Sequence, residues 1–273
     1  MLSASEIVLL NDKSKHIRKL IIKMITKAGN GHIGGALSIV DALVVLYYKT
    51  LNIDPKQPKM HDRDRFVLSK GHAGPALYAV LADKGYFDVS ELDTLNKPNT
   101  NLPSHCDMKK TIGIDMTAGS LAQGFSAAVG MAIGAKIDGD NFKVYTLIGD
   151  GESQEGQIWE AAMLAAHRKL NNLIAFLDYN NMQIDGTLDQ IVQVDPMDKK
   201  WEAFGWNVYC VDGHNVAEIY DAIENAQKCW EKPSMIILKT IKGKGAFFAE
   251  GKVSSHHMSI TEEQCKKAIE ELN

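Results

Sequence analysis

The spacing of apolar positions changes repeatedly along the chain, and each change predicts a new element. Over Ser5–Ala28 they recur at Ile7, Leu10, Ile17, Leu20, Ile21, Met24 and Ile25, the period of an amphipathic helix. Gly29-Asn30-Gly31 stops that helix, and a second is predicted over about Leu37–Lys49. Arg63–Ser69 starts as a strand, and after Lys70-Gly71-His72-Ala73 a helix is predicted over Ala76–Lys84. Pro98–Thr111 is polar and has no period. Gly113–Lys136 becomes a helix beyond Gly119, and its many glycines and alanines predict close packing along it. Lys143–Ile148 and Leu173–Leu177 are short apolar runs of the kind buried strands make. Between them lie the tight turn Gly149-Asp150-Gly151 and a helix over about Glu155–Leu170. Helices at about Pro196–Phe204 and Val216–Trp230 then alternate with strands at Trp206–Val211 and Ser234–Lys239. A final helix is predicted over Glu262–Leu272.

Strand–helix–strand alternation predicts an α/β fold of three layers, a mostly parallel sheet with helices on both faces. In such sheets ligands bind outside the carboxyl ends of the strands. Asp150 falls on one of these loops, and Asn180 and Asn181 on the next. Magnesium takes oxygen ligands in near-octahedral geometry and usually keeps waters or phosphate oxygens. The Asp150 carboxylate, the Asn180 amide oxygen and the backbone carbonyl of Met182 just beyond fit that demand, with room for a diphosphate; calcium or manganese would also fit. The glycines let the backbone approach such a group closely. Most isolated Gly-Asp-Gly triplets are only turns. The return of a second oxygen-rich loop after one crossover argues for a site.

Composition narrows the class. The 273 residues suffice for one large α/β domain, though length alone also permits two. A net charge of -4 gives no reason to invoke nucleic acid or an anionic membrane. Cys106, Cys210, Cys229 and Cys265 are scattered, so disulfide frameworks and metal clusters are poor readings and a reducing cytoplasm is expected. The first residues lack a basic region followed by an apolar one, so no signal peptide is expected. Ile39–Tyr48, the most apolar helical run, is too short to span a bilayer and carries Asp41.

The stretch Gly149–Gly186, GDGESQEG…AAHRKLNNLIAFLDYNNMQIDG, resembles the thiamine-diphosphate-binding motif, and its extended wording is similar to the transketolase family. Further segments carry the same resemblance. GNGHIGGALS around His32 is similar to the family's SGHPGGxLS, with Ile33 where proline is usual, and strand-KGHA-helix matches around His72. LPSHCD around His105 resembles the family's PGHPE loop, though the flanking residues differ. GSLAQG resembles GSLGQG with Ala122 in place of a glycine, and SSHHMS stands where the family has WHG or VHG.

The resemblance implies roles residue by residue. His72, Gly119, Leu121, Gly149, Asp150, Gly151, Glu152, Asn180, Ile184 and His256 would bind thiamine diphosphate. Asp150, Asn180 and Met182 would hold Mg2+. His32, His72, His105 and His256 would bond substrate oxygens or move protons. Glu155 would join a hydrogen-bond network towards a second active site, or act only as an acid favoured at a helix start. For His72 the plain alternative is a helix-terminal cap, and His167 reads as an ordinary helix residue. Lys242–Gly245, KGKG, resembles a phosphate-cradling loop without Walker spacing and reads as a mobile, solvated segment.

The resemblance covers nearly the whole chain but only the first part of a usual transketolase. Residues 1–273 thus read as a single diphosphate-binding domain. The pyrimidine and C-terminal domains, including the glutamate that activates the cofactor, are expected on a partner chain, with two of each in a heterotetramer. The implied reaction moves a two-carbon ketol unit from a ketose phosphate to an aldose phosphate, as in the pentose phosphate pathway. One rival is a subunit of a deoxyxylulose-phosphate-synthase-like or 2-oxoacid-metabolising enzyme, which need not keep four site histidines. Another is a catalytically silent regulatory chain, against which the intact Asp150 and Asn180 stand.

Overall fold

The computed structural model describes residues 1–273. Five parallel strands form one sheet in the order β1-β2-β3-β5-β4. They are β1 (Arg65–Leu68), β2 (Val144–Gly149), β3 (Leu173–Tyr179), β4 (Asn207–Asp212) and β5 (Ser234–Lys239). The inner strands are apolar almost throughout because both faces of the sheet are covered. On β3, Ile174 and Phe176 point into one core while Leu173, Ala175 and Leu177 point into the other. The larger core packs α1 (Ala4–Ala28), α2 (Ile33–Leu37), α3 (Val40–Val45), α4 (Gly74–Lys84), α9 (Val216–Gln227) and α10 (Glu262–Glu271). The smaller packs α5 (Gln123–Asp138), α6 (Gly156–His167), α7 (Leu188–Ile191) and α8 (Met197–Ala203), with Phe125, Trp201 and Trp206 meeting at its centre. The three-layer expectation is met, and no helix is long and apolar enough to cross a membrane.

Several boundaries differ from the pattern, each for a physical reason. The helix expected over Leu37–Lys49 starts earlier, at Ile33, and is broken into α2, α3 and a π-helical turn at Leu46–Thr50. Its start is fixed by tertiary contact at Gly34, where a Cβ would lie 2.4 Å from the Ser255 hydroxyl oxygen. β1 begins only at Arg65, because Asp64 accepts from Asn52 N and Lys143 N outside the ladder. β3 runs two residues past its apolar stretch, to Tyr179, carrying Asp178 into the interior. α6 starts after Glu155, whose side chain makes no cap bond. α9 stops at Gln227, leaving Trp230 76% exposed.

Candidate active site

The carboxyl ends of β1, β2, β3 and β5 open onto one cavity of about 380 Å³. β1 delivers Lys70 and His72, β2 delivers Gly149–Glu152, β3 delivers Asn180, Met182 and Ile184, and the segment after β5 delivers Lys242. Across from them stand His32, at the head of α2, His105 from the polar loop, Gly119 and Leu121 from the turn before α5, and His256 from a short 3-10 turn. Glu155 and Ile184 sit at the exposed rim. Every residue to which the sequence assigned a role at the site therefore lines this one cavity, and His167 lies elsewhere, at the end of α6.

One wall is tightly wired. Asp150 is 2% exposed and accepts from Gly151 N at 2.8 Å and Asn181 N at 2.6 Å. Burial and the nearby Asp178 carboxylate push it up to about 7. Asn180 bonds Met182 N through its oxygen and Asp178 through its amide nitrogen. Asp178 also receives Lys70 Nζ at 2.5 Å, Ser38 Oγ at 2.7 Å and the Thr240 hydroxyl. Burial alone would raise the Asp178 carboxyl, but Lys70 and these donors outweigh it and hold it below its usual range. Glu152 takes Ser69 Oγ and Ala122 N on one oxygen and Gly149 N on the other. It lies on the cavity wall, yet both oxygens are engaged by the protein, so it braces the turns that present Ala122 and Gly149. Burial raises its carboxyl nonetheless.

The donor set suits a hard divalent cation. The Asp150 carboxylate, the Asn180 amide oxygen and the Met182 carbonyl are all oxygens, on two neighbouring loops. No cluster of three acidic, histidine or cysteine side chains arranged to hold a metal occurs in the chain. An ion held here would complete its shell with ligand oxygens and water, the habit of magnesium beside phosphates. The Lys242 ammonium lies 3.4 Å from the Met182 carbonyl and 3.3 Å from His256 Nδ1. Burial and repulsion from Lys70 bring it down to about 8.

The opposite wall is a histidine cluster. The His32 ring centroid lies 5.4 Å from His72, 5.4 Å from His105, 5.5 Å from His256 and 4.6 Å from His257. His72 and His256 are 5.0 Å apart. Burial first, then neighbouring imidazoles and Lys242, brings His32 down to about 4. Burial and Lys242 bring His256 down to about 3, and burial lowers His72 and His105 as well. These four rings are neutral near pH 7, each with one N–H donor and one acceptor nitrogen.

Sequence reasoning missed Lys70, Asp178 and Lys242. Lys70 was in view beside His72, and a lysine ending a buried strand was the available signal. Asp178, a charge inside an apolar strand, signalled a buried partner. The solvated reading of Lys242–Gly245 is corrected: Lys242 is 2% exposed, and Gly243 N donates to the Gly34 carbonyl at 2.9 Å. A Cβ at Gly243, where φ is +78°, would sit 2.5 Å from the Ala249 carbonyl oxygen, so the glycine serves close packing. His257, next to His256, adds its ring to the His32 edge of the cluster.

A parallel sheet with oxygen donors and two lysines at its carboxyl edge, facing neutral histidines, defines an α/β domain for a phosphate-bearing ligand. The family model for the thiamine diphosphate binding domain of transketolase matches residues 11–273. The chain is 59% identical over 263 residues to the 6-deoxy-6-sulfo-D-fructose transketolase subunit SqwG of Clostridium sp. (strain MSTE9), covering 96% of each. It is 39% identical over 261 residues to an apulose-4-phosphate transketolase subunit of Phocaeicola vulgatus, covering 96% of this chain and 92% of that one. A crystal structure of Campylobacter jejuni transketolase superimposes with a TM-score of 0.92 at 36% identity, covering 97% of this chain but 43% of the longer one. The chain belongs to the transketolase family.

Proposed function

We propose that this chain is the diphosphate-binding subunit of a two-chain transketolase that moves a two-carbon ketol unit from an anionic ketose to an aldose. The observation that carries this reading is the convergence of His32, His72, His105 and His256 over the same cavity as Asp150, Asn180 and Met182. When bound, thiamine diphosphate supplies the carbon nucleophile and electron sink for carbon–carbon cleavage. Asp150, Asn180 and the Met182 carbonyl would hold Mg2+, with Ca2+ or Mn2+ able to replace it. Lys70 and Lys242 would face the diphosphate charge, Gly149 and Gly151 would give it backbone access, and Gly119, Leu121 and Ile184 would line the space for the rest of the cofactor. The neutral histidines bond the sugar carbonyl and hydroxyls and return protons to them. Glu155 on the rim faces the partner.

Two features support a second chain. The cavity is open, and Ile184, Ile191 and Val192 are exposed on its β3 side, as are Met163 and Leu164 on α6. Relatives of matching length are named as subunits. The partner would bring the pyrimidine domain and its glutamate, in a heterotetramer with two of each chain. No arginine lines the cavity, and Lys70 and Lys242 stand beside the diphosphate wall. The anionic tail of the sugar is thus left to the partner. Identity of 59% to a 6-deoxy-6-sulfo-D-fructose transketolase subunit favours a sulfonated ketose as donor, ahead of the sugar phosphates of the pentose phosphate pathway. Free thiols at all four cysteines suit a reducing cytoplasm.

The test is a reconstituted two-chain assay with sulfonated and phosphorylated ketose donors, reading the shortened aldose by mass spectrometry. Magnesium- and cofactor-dependent release from the sulfonated ketose is expected. Release from phosphorylated donors alone would overturn the donor class. No transfer from any donor would overturn the function.

A further inference from the structure

Outside the cavity lining, beside a second cavity that Arg18, Asp41, His214 and Lys244 line, a closed ring of hydrogen bonds holds the segment that carries Lys242. Arg18 on α1 donates through Nη1 and Nη2 to the Asp41 carboxylate on α3, at 3.0 and 2.6 Å, and through Nε to the Lys244 carbonyl at 3.1 Å. His214, on the turn between β4 and α9, shares a 2.8 Å bond with Asp41 through Nδ1 and a 2.9 Å bond with Ile241 N through Nε2. A backbone N–H can only donate, so Nε2 is the acceptor and the proton sits on Nδ1, donated to Asp41. The ring therefore grips the segment on each side of Lys242, at Ile241 N and at the Lys244 carbonyl. Gly243 N, bonded to the Gly34 carbonyl, ties the middle to the strand of chain that delivers His32. Arg18 and Asp41 are 6% and 4% exposed, so neither can exchange these partners for water at little cost.

We infer that His214 and Arg18 are positioning residues that fix the Lys242 ammonium against the cofactor diphosphate, acting through the backbone of Ile241 and Lys244. The inference rests on the proposed role of Lys242 as a charge facing the diphosphate. The two predict different patterns among variants. A lysine side chain is long and flexible, and its contribution to an anion site depends on a backbone that does not wander.

Thiamine diphosphate affinity at fixed magnesium is measured by calorimetry on the reconstituted enzyme, with thermal unfolding of each cofactor-free variant alongside. Lys242→Met is expected to weaken binding by tenfold or more. His214→Asn keeps a donor for Asp41 but cannot reach Ile241, and should weaken binding about tenfold, the equivalent of one lost hydrogen bond. His214→Gln places an amide oxygen near the Nε2 position and should retain most of the affinity. Arg18→Lys keeps a cation beside Asp41 but cannot also reach the Lys244 carbonyl, and should resemble His214→Asn. In the Lys242→Met background both losses should shrink to less than about twofold, because residues acting through one another are not additive. Full losses that add to Lys242→Met, or affinity unchanged in both His214→Asn and Arg18→Lys, would overturn the positioning role alone. Wild-type affinity in Lys242→Met would overturn the reading of the cavity, and the positioning role with it.

Discussion

The two walls of the cavity are built on opposite principles. On the Asp150 side nearly every polar atom already has a protein partner: Asp178 gathers Lys70, Ser38, Thr240 and Asn180, and Glu152 gathers Ser69, Ala122 and Gly149. On the histidine side the His32 ring stands 5.4 Å from both His72 and His105, and burial leads in keeping all three neutral. On the first wall the internal bonds fix the shape of a cradle whose oxygens are proposed to serve a cation, and on the second the free donors and acceptors address a substrate. Damage on the first wall should cost cofactor binding and stability. Damage on the second should cost chemistry.

The largest expected effect is at the cation. Asp150→Ala should leave no measurable magnesium-dependent binding of thiamine diphosphate in calorimetry, with the fold retained because the residue lies on a loop. Unchanged binding would remove the metal from this wall. On the histidine wall, His32→Ala should lower kcat/KM by roughly 10²–10⁴ while cofactor affinity and thermal stability stay near wild type. A loss of stability with normal specific activity would make His32 a structural residue and erase the contrast. Glu152→Gln turns one accepted bond into a clash between donors and should cost about 1–3 kcal/mol in denaturant unfolding.

Asp150 and His32, one on each wall, titrate in opposite directions. Asp150, at about 7 in the folded chain against an ordinary 3.8, binds a proton more readily when folded, so its contribution to stability falls as pH rises between those values. His32, at about 4 against 6.5, binds a proton less readily when folded, so its contribution is lost as pH falls from 6.5 to about 4. In the cofactor-free chain the two partly cancel. Asp150→Asn should therefore lose melting temperature more steeply than wild type on acidification from pH 6.5 to 4, and His32→Ala less steeply. Equal slopes in all three proteins would refute the opposition.

The smallest effect is at Ala122, which holds φ +69° at a position where a side chain is strained. Replacing it by glycine relieves about 1–2 kcal/mol but gives up a buried methyl and backbone entropy worth about as much. The melting temperature of Ala122→Gly should stay within about 2 °C of wild type. A larger rise would mean that the departure from the family's glycine is costly.

What could be read in advance follows the same division. The turn at Asp150 and the strands around it were legible because a buried parallel strand is a short apolar run that must end in a loop at the ligand edge. His32 and His72 were legible because glycine-flanked imidazoles stand out locally, whereas His105 and His256 rested on the family resemblance. Lys242 was not legible, because the segment around it is held by Arg18, 226 residues away from Lys244 in sequence, and by His214, 27 residues from Ile241. Locally, two glycines around a lysine read as freedom. Glu152 marked a cavity wall, but whether its oxygens were free depended on Ser69 and Ala122, at separations of 83 and 30 residues. The broken start of α2 and α3 likewise answers to Ser255, far along the chain.

Dependence on a second chain is the account's central claim, since relatives of matching length are named as subunits and the cavity proposed for the diphosphate is open. Ketol transfer should be assayed with the purified chain alone and after addition of its partner, at saturating magnesium and thiamine diphosphate. The chain alone should turn over no ketose, and the partner should restore a rate within the ordinary enzyme range of about 1–10³ s⁻¹. Turnover in that range by the isolated chain would contradict the account.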